Sequence, residues 1–136
     1  MQPNNVSLAD RLIATGSYLT LGLVGMVWLI LNYLVVKKPM SKFLAYNVVQ
    51  SFVLSILYAI FTSLYNIFIG ILVGIPFVGK LFLFIHNFLF ETPIFHTMNF
   101  VNFVTLILLL YLSLFAIFAY LPYVPFVTNI AKSVYK

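Results

Sequence analysis

The sequence has 136 residues, of which 64% are hydrophobic and only 7% are charged, against roughly a quarter charged in soluble domains. Seven Lys or Arg against two acids give a net charge of +5, too few charges to coat a soluble domain or to form a nucleic-acid footprint. Basic residues at this density are topology signals beside membrane helices, and with no cysteine in the chain disulfides, thiol catalysis and thiolate-bound metals are excluded.

The expected fold is therefore an all-α integral membrane protein, a single membrane domain over 1–136. Between Arg11 and Lys37 lie 25 uncharged residues, Leu12 to Val36. As one helix they would extend about 37 Å, enough to cross a hydrocarbon core of ~30 Å with some tilt. The run is too long for a signal-peptide core and no A-x-A site follows it, so it reads as an uncleaved anchor. Pro39 biases Lys38 out of the helical region and ends this first span, about 12–36, in a basic turn that runs to Lys42. The next uncharged run, Phe43 to Gly79, is too long for one straight crossing. Asn66, Gly70, Gly74, Pro76 and Gly79 crowd its second half, so the second span is placed at 43–65.

Residues 66–97 then form an interfacial or re-entrant segment. On a helix Lys80, Asn87 and Glu91 fall on one face, with Leu81, Phe82, Ile85 and Leu89 opposite, the pattern of a helix lying in the interface. A third span covers 98–121 and a cytoplasmic tail 122–136. If 66–97 crossed as a fourth span, Arg11, Lys80, Lys132 and Lys136 would stand against Lys37, Lys38 and Lys42, which decides nothing. With three spans Lys37, Lys38, Lys42, Lys132 and Lys136 share a side against Arg11 and Lys80, and five against two obeys the positive-inside rule. Three spans, with the N-terminus outside and the C-terminus in the cytoplasm, are expected. The membrane is taken to be a bacterial inner membrane, or alternatively a plastid membrane.

Polar residues within the spans mark where helices meet. Asn47, Ser51, Ser55, Tyr58, Thr62 and Tyr65 recur at helical steps on one stripe of the second span, with Gln50 beside it. Asn99, Asn102, Thr105, Ser113, Ala116 and Tyr120 repeat the pattern more weakly in the last span, and Tyr18, Gly22, Gly25 and Asn32 mark a close approach in the first. Such stripes hold membrane helices together at typically ~0.6 kcal/mol per hydrogen bond. No Asp, Glu, Lys or Arg falls inside a span, which removes the usual proton or ion relay. His86, Glu91 and His96 are spaced by five residues, about 140° on an α-helix, so they do not converge and match no zinc spacing. No catalytic residues, cofactor or metal are expected, and the chain does not read as an enzyme. Expected partners are membrane lipids, further copies of the chain or other membrane subunits, and polypeptide substrates, but not nucleic acid.

Two stretches carry a family resemblance. The segment from Ser41 to Gln50, with Lys42, Phe43, Tyr46, Asn47 and Gln50, resembles an S-R-F-x-R-[FH]-[NH]-x-x-Q-A helix opening. The stretch from Leu121 to Ala131, with Pro122, Pro125 and Thr128, is similar to a P-x-I-P-x-I-S-x-A-A ending. Both segments thus resemble the Tic-twenty-like superfamily, the twenty-kilodalton subunit of the chloroplast inner-envelope translocon and its small bacterial relatives. Phe90-Glu91-Thr92 and the Asp10-Arg11 opening resemble it as well. The resemblance implies a helical membrane subunit of a preprotein-import-like complex that acts by assembly with partners. The alternative is a small accessory subunit without transport activity. It also implies that the Gln-bearing segment and the Pro-x-x-Pro tail lie on the same side of the membrane. In the plastid members two helices precede the Gln-bearing segment, where a single 25-residue helix fits this sequence.

Overall fold

Helices dominate the chain, and residues 6–134 are described by the structure, a computed structural model. Contacts cluster in two compact units: residues up to Leu57 together with those from Leu109 onward, and Tyr58–Leu108. The helices α3 (Lys42–Val73) and α5 (Phe100–Ile117) each contribute to both.

In the first unit the uncharged run 12–36 is not one helix. It folds as α1 (Leu8–Leu19) and α2 (Leu23–Leu31), with α2 prolonged by a π turn over Asn32–Val36. The break is a Schellman cap. Leu21 and Gly22 take positive φ of 50° and 91°, and the Gly22 and Leu21 amides return to the carbonyls of Ser17 (2.6 Å) and Tyr18 (3.1 Å). Thr20 serves both helices, since its Oγ1 donates to Gly16 O at 2.7 Å and accepts from Val24 N at 3.0 Å. Apolar periodicity across 12–36 is compatible with one helix, but left-handed backbone at two successive residues cannot continue an α-helix. The chain doubles back, and Ser7 and Asp10 at the start of α1 line one cavity with Trp28 and Asn32 on the returning arm. Close approach at the bend depends on Gly25, where a Cβ would stand 2.8 Å from Ser17 Oγ and 3.0 Å from Val48 Cγ1.

This corrects the first expected span. Neither arm, at 12 and 14 residues, is long enough at 1.5 Å per residue to cross ~30 Å of hydrocarbon. Both arms also end beside the start of α3. Ser41 caps that helix by accepting from Leu44 N at 3.2 Å, and its Oγ donates to Asp10 Oδ2 at 2.6 Å. Asp10 and Lys42 therefore stand at the same end of α3, which overturns the separation of Arg11 from Lys37, Lys38 and Lys42.

The tail also reaches this end of α3. Helix α5 stops at Ile117, and Ala119 has a φ of 61°. Pro122 and Pro125, which lack an amide donor, lie in the irregular stretch that follows. A final helix α6, Val127–Val134, begins after Phe126, which also has positive φ. Thr128 sits inside that helix rather than capping one that starts at Asn129, and its Oγ1 accepts from Val124 N at 2.8 Å. Val127, Thr128 and Ala131 are buried, so the tail is docked, while Tyr120, Tyr123 and Phe126 face outward. Tyr135 and Lys136, the end of the expected tail, lie outside the described residues.

In the second unit α3 continues eight residues past Tyr65, the expected end of the second span, to Val73. Gly70 does not break it. A single glycine costs a helix interior only about 1 kcal/mol, and the terminating signals come later, at Gly74, Pro76 and the positive φ of Phe77. The chain returns as α4 (Val78–His86), prolonged by a π turn over Asn87–Glu91. Phe82 meets Phe68 edge-on at 6.2 Å, and Phe90 stacks on Tyr65 at 4.7 Å, so α4 runs antiparallel along the end of α3. With its π turn α4 counts 14 residues, too few to cross, so the fourth-span alternative for 66–97 is not formed. A two-stranded antiparallel ribbon not expected from the sequence, β1 (Pro93–Phe95) and β2 (Met98–Asn99), leads into α5.

Among the described residues, helices α3 and α5 are the two that are long and apolar enough to cross a membrane. On α3, Phe61, Leu64 and Ile67, at successive steps of three, are each 62% exposed. Contiguous exposure on this scale is unusual for a soluble monomer.

Candidate functional site: a buried polar node

One cluster of buried polar side chains links α1, α3 and the tail, all within the first unit. Tyr18, near the end of α1, extends its hydroxyl to α3, 2.8 Å from Asn47 Oδ1 and 2.7 Å from Gln50 Oε1. Its single proton is shared between two amide carbonyls. Asn47 turns its own amide back to Phe43 O at 2.8 Å. Gln50 Nε2 donates to Thr128 Oγ1 at 3.0 Å and to Pro122 O at 3.3 Å, and the Tyr46 hydroxyl donates to the same Pro122 carbonyl at 3.2 Å. Tyr18, Asn47, Gln50, Pro122 and Thr128 are all essentially inaccessible.

Each link follows from local sequence. Asn47 and Gln50 are three residues apart, and Tyr46 is four from Gln50, so all three share one side of α3. Pro122 lies beyond the end of α5, so its carbonyl has no helical partner and is available to Tyr46 and Gln50. All side chains in the node are neutral, and each bonds to at least one other group. The arrangement fixes three segments in one register, and it contains no group poised for acid or base chemistry.

The expected polar stripe divides. Asn47, Gln50 and Ser51 are fully buried, and the first two reach other elements. Ser51 donates to Val48 O at 2.8 Å, within its own helix. Ser55 and Tyr58 are half-buried, and Thr62 returns its hydroxyl to Tyr58 O at 2.9 Å within its own helix. Tyr65 stacks with His86 and Phe90, and no partner reaches its hydroxyl among the described residues. In α5, Asn99 is the N-cap, accepting from Asn102 N at 2.8 Å, and its amide donates to Phe90 O. Asn102 is itself exposed, and Thr105 bonds to Val101 O at 2.8 Å. The stripe residues from Ser51 to Thr62, with Asn102 and Thr105, therefore make no side-chain bond between helices among the described residues. A helical hydroxyl can satisfy itself on the carbonyl four residues back, which periodicity cannot distinguish from a cross-helix bond.

His86 and Glu91 do meet, with Nε2 4.0 Å from Oε1. The π turn that closes on the bond from Thr92 N to Asn87 O (2.7 Å) replaces the α-helical rotation assumed for a five-residue step. His96 lies in the turn of the ribbon with positive φ, and no group of three metal-ligating residues forms among the described residues.

Of the residues that carry the family resemblance, Phe43, Tyr46, Asn47, Gln50, Pro122 and Thr128 are buried, and the last five belong to the node. Lys42 and Pro125 are exposed. Sequence reasoning missed Tyr18 and Thr128 as the partners of Gln50. Their signal was a polar group in an apolar run with no partner at helical spacing. No protein-family model matches the chain, and neither a curated protein nor a solved structure does.

Proposed function

We propose that the chain is an integral membrane subunit that works by assembling with other polypeptides, in the manner of a preprotein-translocation complex. The observation that carries this reading is the node. The two resembling segments, 72–78 residues apart, bond directly to each other through Gln50, Pro122 and Thr128. That union agrees with the same-sided placement of the two segments implied by the resemblance. The two short helices α1 and α2 ahead of the Gln-bearing segment match in number the two that precede it in the plastid members.

In this reading α3 and α5 cross the bilayer and the α1–α2 hairpin is re-entrant from the cytoplasmic face of a bacterial inner membrane. Of seven basic residues, Lys80 alone then falls on the opposite side, a stronger positive-inside asymmetry than five to two. Single cysteines at Ala9 and Ser133 should be shielded from an impermeant thiol reagent in intact cells, while one at Thr92 should react. Reaction at Ala9 with protection at Ser133 would return the hairpin to a crossing.

Two crossings without a charged residue enclose no aqueous conduit, so any transport needs further subunits. The same feature favours the accessory role as a second reading. A photoreactive residue at Asn102, exposed on α5, should cross-link to a second polypeptide in mild detergent or in membranes. A translocating polypeptide as the product supports the first reading and a stable subunit supports the second. A monomer that forms no cross-link in either setting removes both.

A further inference from the structure

We propose that the mouth of the α1–α2 hairpin binds an aminoethyl phosphate group, that of a phosphatidylethanolamine headgroup. A cavity of about 400 Å³ opens there, walled by Asp10, Trp28, Asn32, Lys38 and Ser41, with Met40 and Leu44 as apolar floor. It shares Asn32 and Lys38 with a second cavity of about 570 Å³ that adds Tyr33 and Lys37. Together they give a groove large enough for a headgroup and the start of its glycerol.

Asp10 and Lys38 both line the first cavity, and Lys37 and Lys38 the second. Neither lysine has an acidic partner among the described residues, while Asp10 Oδ2 accepts from Ser41 and its carboxylate retains acceptor capacity. A phosphate diester supplies acceptors to the two lysines. A primary ammonium two carbons away supplies donors to Asp10.

The surroundings suit a lipid. Tyr33, Leu34 and Val35 beside the groove are 81%, 62% and 72% exposed, an apolar shoulder on which acyl chains can lie. Basic pockets at the cytoplasmic face of membrane proteins recruit phosphate headgroups in this way. The trimethylammonium of phosphatidylcholine carries the same charge as ethanolamine but donates no hydrogen bond, and it provides the discriminating comparison.

The test uses the full chain in mild detergent, offered equal amounts of phosphatidylethanolamine and phosphatidylcholine, with retained lipid read by native mass spectrometry. Phosphatidylethanolamine should be retained about tenfold over phosphatidylcholine, a coupling of about 1.4 kcal/mol. Lys37→Ala/Lys38→Ala should lower retention of both lipids about tenfold. Asp10→Asn should abolish the preference while keeping phosphate-dependent retention, and Lys132→Ala, a lysine away from the groove, should change nothing. Lys37 and Lys38 are exposed, so their replacement leaves the fold intact and the readout interpretable. Displacement of lipid by millimolar glycerophosphoethanolamine would keep the site and make its natural ligand soluble, whereas lipid that resists displacement identifies the membrane as the source. Equal retention of the two lipids by the unaltered protein, or unchanged retention after removal of both lysines, overturns the proposal.

Discussion

Gln50→Leu should destabilise the folded chain in mixed micelles by about 2–3 kcal/mol, while Ile56→Leu on the exposed side of the same helix stays within about 0.5 kcal/mol. Leucine fills much of the space but removes one hydrogen bond each from the Pro122 carbonyl, Tyr18 and Thr128, which keep Tyr46, Asn47 and Val124 respectively as partners. Single bonds between membrane helices average about 0.6 kcal/mol and reach about 1.7. The sum over three affected groups is what sets the expected loss. Thr128→Val alone should cost less, because Pro122 O still accepts from Gln50 and Tyr46. The double variant should fall short of the sum of the two single variants by about 1 kcal/mol, the signature of a shared network. Trp28, the single tryptophan, supplies the fluorescence signal. Strict additivity, or equal stability of Gln50→Leu and Ile56→Leu, would mean that the node does not hold the tail to α3.

The second large effect is expected at Gly79, at the start of α4. A Cβ there would collide with the Val73 carbonyl oxygen and stand 2.9 Å from the carbonyl carbon. The obstruction is backbone at the end of α3, which cannot rotate away as a side chain could. Gly79→Ala should therefore spread the α3–α4 turn at a cost of about 1–3 kcal/mol or more. Gly70 gives the opposite sign. Nothing lies within 4 Å of its added Cβ, and it sits in a helix interior where alanine is favoured by about 0.5–1 kcal/mol. Cysteines at positions 68 and 82, whose native rings are 6.2 Å apart, report on the turn through a short bismaleimide. Cross-linking should drop sharply with Gly79→Ala and persist with Gly70→Ala. Equal cross-linking in both backgrounds would show that the turn tolerates a side chain at Gly79.

Much of this architecture was legible in the sequence, and the misses have identifiable causes. The two long apolar helices followed from uncharged runs, because length and hydropathy are set by composition alone. The hairpin over 8–36 was hidden for the same reason: a bend built on Leu21 and Gly22 leaves the run uninterrupted. Leucine is a rare choice for left-handed backbone, so the Schellman turn gave no residue signal beyond one glycine. Helix α3 outran its expected end because several weak breakers were weighed as one strong one. In the node, Asn47 and Gln50 stood out as amides in apolar surroundings. Their partners are 29 to 78 residues away, and no periodicity reports distances of that order. Charge counting depended on which segments cross, so an error in one helix propagated into the side assigned to Arg11.

The Schellman bend also bears on how such a chain is made. In the proposed topology the hairpin dips into lipid and leaves by the face it entered. At its tip the backbone would then turn in hydrocarbon, where no water can reach the carbonyls that a helix end leaves open. Here the amides of Leu21 and Gly22 occupy the carbonyls of Tyr18 and Ser17, and Thr20 bridges the two arms with its hydroxyl. The bend is thus sealed by its own main chain and one side chain, and the hairpin can slip into the bilayer as a closed element before α3 has emerged. Tyr18 would then be the group waiting, just short of the tip, for Asn47 and Gln50 to arrive.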